Sequence, residues 1–383
     1  MIRVMQEKDS ETGNATAPAG EPADGARWVE KIKAWGQELG FAELGIAGVD
    51  VSAATPGLLR WLALGRHGEM DYMAKHAPLR AAPQALLPGT CSVITARLPY
   101  WPDAAPAAQV LADSQLGYLS RYALGRDYHK TVRQRLQKLA ERIEQLSQEV
   151  QVMGPAESFA YRVFSDSAPV MEVELTRQSG IAWRGKHTLS LTRQGSWHFL
   201  GEIYTNLPLP ADAPGDEHCG DCHRCLDACP TQAIVAPYEV DARLCISYLT
   251  LELKGAIPET LRPLIGNRIY GCDDCQLCCP WNRFAQIGDR DFAVRNGLDN
   301  TPLAALFAWS AQDFEQRLAG SPIRRIGHER WLRNIAVALG NAAASPNAIT
   351  ALNRQREHPS ALVREHVAWA LAQQLQKQGS TPR

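Results

Sequence analysis

Apolar residues recur at helical spacing at Trp28, Ile32, Trp35 and Leu39 and stop at Gly40, which predicts a helix over Trp28–Leu39. Phe41–Val49 reads as a strand, Leu58–Lys75 as a second helix, and Cys91–Leu98 as a short buried-type strand ended by Pro99. Leu116–Val150 reads as a long charged helical region. Phe159–Phe164 is strand-like, Val170–Ser179 is helical, and Thr188–Thr192 and Trp197–Ile203 are further strands. This alternation predicts one mixed α/β domain up to about residue 205. Leu207–Pro214 (LPLPADAP) reads as a Pro-rich linker. A cysteine-rich segment follows, from His218 to about Arg283, and then a tail with helical pattern only. Within the tail, Ile335–Leu339 (IAVAL) and Val367–Leu371 (VAWAL) match 32 residues apart, as helical-hairpin repeats do.

Composition sharpens this outline. The chain has 383 residues, 45% apolar and 21% charged, which suits two or three globular domains with a core that needs no disulfides. Residues 1–25 are rich in Ala, Gly, Pro and acidic side chains and read as a disordered arm. The arm has no apolar core and no twin arginine, and Glu7, Asp9 and Glu11 stand where an export signal needs positive charge. No run approaches the roughly 18 apolar residues of a membrane span, so a cytoplasmic location is expected. Net charge is −1, which does not announce a nucleic-acid partner, yet Glu315–Arg383 carries ten Lys/Arg against four Glu and no Asp. A tail charge of +6 could face phosphates.

In a reducing compartment, clustered cysteines indicate metal or catalysis. Cys219-x2-Cys222-x2-Cys225-x3-Cys229-Pro230 is the bacterial ferredoxin spacing, whose fourth cysteine ligates the other cluster. A tetrahedral zinc needs two close pairs, so three tight spacings and a fourth overspecify it. The partner run, Cys272-x2-Cys275-x3-Cys279-Pro280, ends the same way, so Cys279 should cross back. The expected ligand sets are Cys219, Cys222, Cys225 and Cys279 for one [4Fe–4S] cluster, and Cys229, Cys245, Cys272 and Cys275 for the other. Cys278 is left as a packing residue and Cys91 as inert core. Two such clusters would deliver single electrons from an external donor. No Gly-x-Gly-x-x-Gly after a strand and no Walker loop is present, so no nucleotide site is evident as the acceptor.

From about Trp28 onward the chain resembles the epoxyqueuosine reductases. The resemblance rests on GRHGEMDYM (Gly65–Met73), GRDYHK (Gly125–Lys130), FSDSAP (Phe164–Pro169), WRGKHTL (Trp183–Leu189), both cysteine runs, IYGCDDCQL (Ile269–Leu277), PWNRF (Pro280–Phe284) and RRIGHERWLRNIAVALGN (Arg324–Asn341). It implies a cobalamin-binding domain similar to that of reductive dehalogenases over 26–206, a ferredoxin-like domain over 207–290 and HEAT-like helical repeats over 291–383. It also implies base-off cobalamin, reduction of an epoxide on the wobble base of tRNA to an alkene, and a one-electron donor such as a flavodoxin or ferredoxin; nothing in the sequence argues against a monomer.

An epoxide oxygen leaves only when protonated, so an acid is required. Asp166 matches the family's proton donor, with a pKa expected to rise beside an apolar corrin. Arg80, Asp127, Tyr128, His129, Lys186 and Thr188 match positions expected near the cofactor. His129 is expected as a polar contact more than as a cobalt ligand. Ala182 and His187 depart from the family's common Gly and Asn. Arg324, Arg325, Arg330 and Arg333 are the expected phosphate contacts on one face of the repeat. A corrinoid dehalogenase and a non-catalytic electron carrier are the alternatives. The missing export signal and the basic tail weigh against the dehalogenase, and a corrin absorbance would exclude the carrier.

Overall fold

The computed structural model describes residues 22–150 and 158–379. Most of the arm expected over residues 1–25 lies outside them. From Pro22 the chain is helical: α1 runs Pro22–Glu38 and starts earlier than its apolar stripe, since a proline in a first turn costs no helical hydrogen bond.

Four strands form an antiparallel sheet: β1 Glu43–Ala47, β2 Ser92–Pro99, β3 Tyr161–Phe164 and β4 His198–Thr205, in the order β1-β2-β4-β3. The long helix α2, Tyr128–Val150, buries a stripe of Val132, Leu136, Leu139, Ala140 and Ile143. With Trp28 and Ile32 of α1, that stripe covers the sheet face carrying Ile94, Leu98, Phe199 and Ile203. A Cβ at position 201 would meet the Leu136 and Val132 side chains at 2.6 and 2.7 Å, so Gly201 is what admits α2 so closely. The short helix α3, Glu172–Gln178, covers the other face, where Leu175 packs with Ala47, Val93, Phe164 and Tyr204.

Several expectations are corrected. The helix expected over Leu58–Lys75 is two, Thr55–Ala63 and Asp71–Lys75, parted by a turn in which Gly65 and Gly68 have φ of +63° and +58°. Leu116–Val150 is α-helical only from Tyr128, after a 3-10 turn at Arg121–Ala123. Before it, Tyr118–Leu119 pairs in parallel with Arg268–Tyr270, a tertiary contact that overrides local pattern. The strand expected over Thr188–Thr192 shrinks to Ser190–Leu191, paired with Trp183–Arg184. Cys91 is exposed rather than core, because β2 begins one residue later. Leu207–Pro214 is extended but anchored: Leu207 and Leu209 are buried, and Asp212 accepts from the Ile46 amide and from Lys33 Nζ, both at 2.8 Å.

Each cysteine run forms a four-residue helix, Arg224–Asp227 in the first and Asp274–Leu277 in the second. The tail contains α4, Gly327–Asn341, and α5, Ala361–Gly379. The two matched sequence segments fall inside these helices, which pack on one another through one core.

That core ignores the expected boundaries, for Leu119, Ala123 and Leu124 join Ile269, Tyr270 and the tail residues Leu303–Ala370 in it. A buried carboxylate reinforces the join. Asp273 accepts from Tyr118 Oη at 2.7 Å, Ser120 Oγ at 2.5 Å and the Arg121 amide at 2.8 Å, tying the loop before α2 to the second cysteine run.

Candidate active site

After β3 the chain turns through Ser165-Asp166-Ser167 before reaching α3. Ser165 is buried and its hydroxyl donates to the Leu200 carbonyl at 3.1 Å. Asp166 has φ +56°, a left-handed conformation that Asp tolerates at some local cost and that recurs at functional sites. Its amide donates to Glu172 Oε1 at 2.5 Å. Its carboxylate Oδ2 accepts from the Tyr128 hydroxyl and lies 2.8 Å from His129 Nε2. His129 Nδ1 lies 2.6 Å from Asp127 Oδ1, and Arg325 Nη1 stands 3.0 Å from His129 Nε2. About half of the Asp166 side chain (52%) faces the adjoining cavity, although protein surrounds it on its other sides.

Burial pushes the Asp166 carboxyl up. Hydrogen bonds from His129 and Tyr128 and the charges of His129 and Arg325 outweigh it and hold the group below the usual carboxylate range. The expected upward shift is therefore corrected. Burial also pulls His129 down, but its bonds to Asp127 and Asp166 win and raise it. The proton at this site belongs to a hydrogen-bonded Asp166–His129 pair, with Tyr128 stacked on the imidazole at 4.0 Å.

Two carboxyls that sequence reasoning missed stand behind Asp166. Burial, with the Asp166 charge added, pushes Glu172 up to about 8. Glu202 is fully buried at the centre of the sheet, opposite Thr95 and Phe164, and neither oxygen has a hydrogen-bond partner among the described residues. Burial, then the charges of Glu172 and Asp166, push it well above the carboxylate range. The one available signal was a glutamate inside the otherwise apolar strand pattern FLGEIYT.

A cavity of about 400 Å³ opens beside this group. Tyr128, Asp166, Glu172, His187, Thr188 and Leu189 line it, and so do Cys229, Cys245, Cys272 and Cys275. A second cavity of about 640 Å³, lined by Arg80, Trp61 and Met171 among others, shares Glu172, Val173, Thr188 and Val240 with the first. Cys219, Cys222, Cys225 and Cys279 line a separate space with Lys186, His187 and Trp281. Each expected ligand set thus surrounds its own cavity, and Cys278 lines neither; its thiol points at the Cys275 carbonyl at 3.5 Å.

The other expected residues divide. Thr188 lines both large cavities with φ +74°, a strained conformation for a β-branched residue, and Arg80 lines the second cavity. Asp127 and His129 line neither of these two cavities; they hold Asp166, and both His129 nitrogens are engaged within the protein. Lys186 is corrected: its ammonium bonds the Gly220 and Cys222 carbonyls at 2.5 and 3.0 Å, beside the Cys219 set. Arg333 is also corrected. It is fully buried, and its guanidinium donates to the carbonyls of Leu249, Leu253 and Gly255 at 2.7–2.8 Å, because it lies on the inner face of α4. Arg330 likewise gives its donors to the Leu251, Arg325 and Ile326 carbonyls. Arg324 and Arg325 are exposed, Arg324 paired with Glu315. No helix among the described residues is long and apolar enough to cross a membrane.

The joined cavities suit a bulky, largely apolar cofactor with a few polar anchors. His187 is buried and neutral, its pKa lowered to about 4 by burial, and its Nε2 has no hydrogen-bond partner among the described residues. Such an orphaned nitrogen on the cavity wall fits a polar group of a bound molecule.

Residues 218–282 match the family described as a 4Fe-4S double cluster binding domain, and residues 80–167 match the family described as Epoxyqueuosine reductase QueG, DUF1730. Epoxyqueuosine reductases from Burkholderia pseudomallei (strain K96243) and Escherichia coli (strain K12) are 53% and 54% identical to the chain. They cover 97% and 94% of it, and 98% and 93% of their own lengths. A solved epoxyqueuosine reductase bound to an epoxyqueuosine-modified tRNA-Tyr stem loop superposes with a TM-score of 0.80 at 25% identity, covering 94% of this chain and 96% of that one. A Bacillus subtilis structure, described with its catalytic aspartate loop swung out of the active site, gives 0.77 at 26% identity over 91% of each chain. With one cavity uniting an aspartate loop and half of a double-cluster cysteine set, and with relatives this similar over nearly its whole length, the chain belongs to the epoxyqueuosine reductase family of oxidoreductases.

Proposed function

We propose that this enzyme reduces epoxyqueuosine to queuosine in a tRNA anticodon loop, the final step in making that nucleoside. The electrons pass from an external flavodoxin or ferredoxin through two [4Fe–4S] clusters to cobalamin, and Asp166 is the proton donor. The observation that carries the reading is the shared wall: Asp166 and the cysteines Cys229, Cys245, Cys272 and Cys275 line one cavity.

Cys219, Cys222, Cys225 and Cys279 hold the outer cluster, nearer solvent at the exposed Cys222, and the other four hold the inner one. Arg80, Tyr128 and Thr188 would hold base-off cobalamin, with His187 offering its free nitrogen. When bound, cobalamin supplies a strongly reducing, nucleophilic cobalt. Asp127 and His129 orient Asp166 and keep a proton within reach of the cavity. Arg324 and Arg325, on the exposed surface beside this group, are the phosphate contacts that support a tRNA substrate, and the tail helices act as HEAT-like repeats behind them. The domains of the proposal remain 26–206, 207–290 and 291–383, fused through a common core.

Anaerobically prepared protein tests this reading. It should contain about eight irons per chain and a corrin, and should convert epoxyqueuosine tRNA to queuosine tRNA. Zinc in place of iron, or turnover without any corrin, refutes it.

A further inference from the structure

One nitrogen of His129 is contested. An imidazole nitrogen offers a single hydrogen-bonding position in the ring plane, either as a lone pair or as an N–H. Asp166 Oδ2 stands 2.8 Å from His129 Nε2, and Arg325 Nη1 stands 3.0 Å from the same atom. The other nitrogen, Nδ1, is committed to Asp127 Oδ1 at 2.6 Å, which fixes the ring. A guanidinium only donates, so Arg325 fits an unprotonated Nε2. An ionised carboxylate only accepts, so Asp166 fits a protonated one. We propose that Arg325 couples tRNA engagement to the proton of the Asp166–His129 pair: a backbone phosphate that takes the guanidinium leaves Nε2 to Asp166 alone, and the pair loads its proton. The inference rests on the tRNA reading above and deepens it. Arg325 acts through His129 and is a positioning residue.

The tail holds Arg325 in a way that permits this exchange. It lies in the 3-10 turn Pro322–Ile326 just before α4, with 53% of its side chain exposed. Among the described residues its guanidinium has Nε2 as its hydrogen-bond partner and Asp127 Oδ2, at 3.9 Å, as its ion-pair neighbour. Arg330 and Arg333, farther along, are spent on backbone carbonyls. A phosphate offers Arg325 two charge-assisted bonds in place of one to a ring nitrogen, so it wins the guanidinium. The turn itself stays in register with the site, because the Asp127 amide donates to the Gly320 carbonyl at 2.8 Å.

The exchange balances. The Arg325 N–H bond to Nε2 breaks and the guanidinium bonds phosphate oxygens. A solvent proton goes to Nε2, and the new N–H donates to Asp166 Oδ2. During the reaction Asp166 takes that proton from Nε2 and passes it to the epoxide oxygen. The other charged or titratable groups facing the pair are common to both states: Asp127 and Tyr128 beside the ring, Glu172 from α3 and Glu202 from the sheet. Tyr72, Tyr122 and Glu252 also face Asp166 in both. The charge of Arg325 pulls both His129 and Asp166 down, so its withdrawal favours the loaded pair.

Calorimetry of the full, loaded enzyme counts the proton directly. The probe is an anticodon stem loop of tRNA-Tyr, the RNA in the solved relative, titrated in buffers of differing ionisation enthalpy. Wild-type enzyme should take up as much as one proton per complex at pH above the ordinary histidine value of about 6.5. The uptake should vanish in Arg325→Gln and in His129→Gln. Arg324→Gln removes the neighbouring cation but leaves Nε2 contested, so it should weaken binding and keep the uptake. In turnover, the alkaline limb of kcat reports the complex and that of kcat/KM the free enzyme. The kcat limb should lie at higher pH, and Arg325→Gln should bring the kcat/KM limb up to it without moving it. Binding with no proton uptake, uptake that survives Arg325→Gln, or coincident limbs in wild type overturns the coupling and leaves the tRNA reading standing. A stem loop that does not bind overturns both.

Discussion

A single side chain, Asp166, is held from three directions: Glu172 on its amide, Tyr128 and His129 on its carboxylate. Asp166→Asn keeps the shape but removes the acid. Turnover should fall by about 10²- to 10⁴-fold, while iron content and tRNA binding, read by chemical assay and by filter binding, stay as in wild type. Glu202 makes a different prediction. Its folded pKa lies above its unfolded one, so the folded state holds the proton more tightly, and stability should drop as pH rises from about 4.5 toward the folded value. The slope for one proton is about 1.4 kcal/mol per pH unit. Glu202→Gln should flatten that slope and gain stability at neutral pH, as measured by urea midpoints across pH. The sequence disclosed Asp166 through its motif, but not Glu172 or Glu202. Their importance arises from burial against a sheet face, which a one-dimensional pattern cannot display.

At the scale of elements, periodicity located β1, β2, β3, β4, α1 and α3 to within a few residues, because each buries a face whose spacing is written in the chain. It failed where long-range pairing decides the conformation, as at Tyr118–Leu119, and where glycines break a helix after Ala63. It also placed Arg330 and Arg333 on an outer face, since charge alone suggests solvent. Arg333 instead caps three carbonyls of the cysteine segment from inside. Arg333→Ala should cost about 3 kcal/mol or more by leaving those acceptors unpaired in a buried site, seen as a lower thermal midpoint. Leu136→Ala, in the stripe of α2 beside Gly201, should cost about 2–5 kcal/mol, measured by chemical denaturation, with little change in turnover per folded molecule.

Over the whole molecule, the spacing separates Cys219, Cys222, Cys225 and Cys279 from Cys229, Cys245, Cys272 and Cys275, and the fold sets each four on the wall of its own cavity. The shared core between segments far apart in sequence was not legible. Cys219→Ala and Cys275→Ala should each reduce iron from about eight to about four atoms per chain, and only the former should spare the inner cavity. Arg324→Glu should weaken tRNA binding and reduce its salt slope by about one, measured by titration at several salt concentrations. The Asp273 clasp carries a broader meaning. Asp273 lies between Cys272 and Cys275 in sequence, yet what its carboxylate grips is a loop bearing Ser120, part of the wall of the cavity beside Asp166. A change that loosened the Cys272–Cys275 segment would therefore be felt at the wall of the cavity as well, so the order of this segment and the shape of the cavity are expected to rise and fall together.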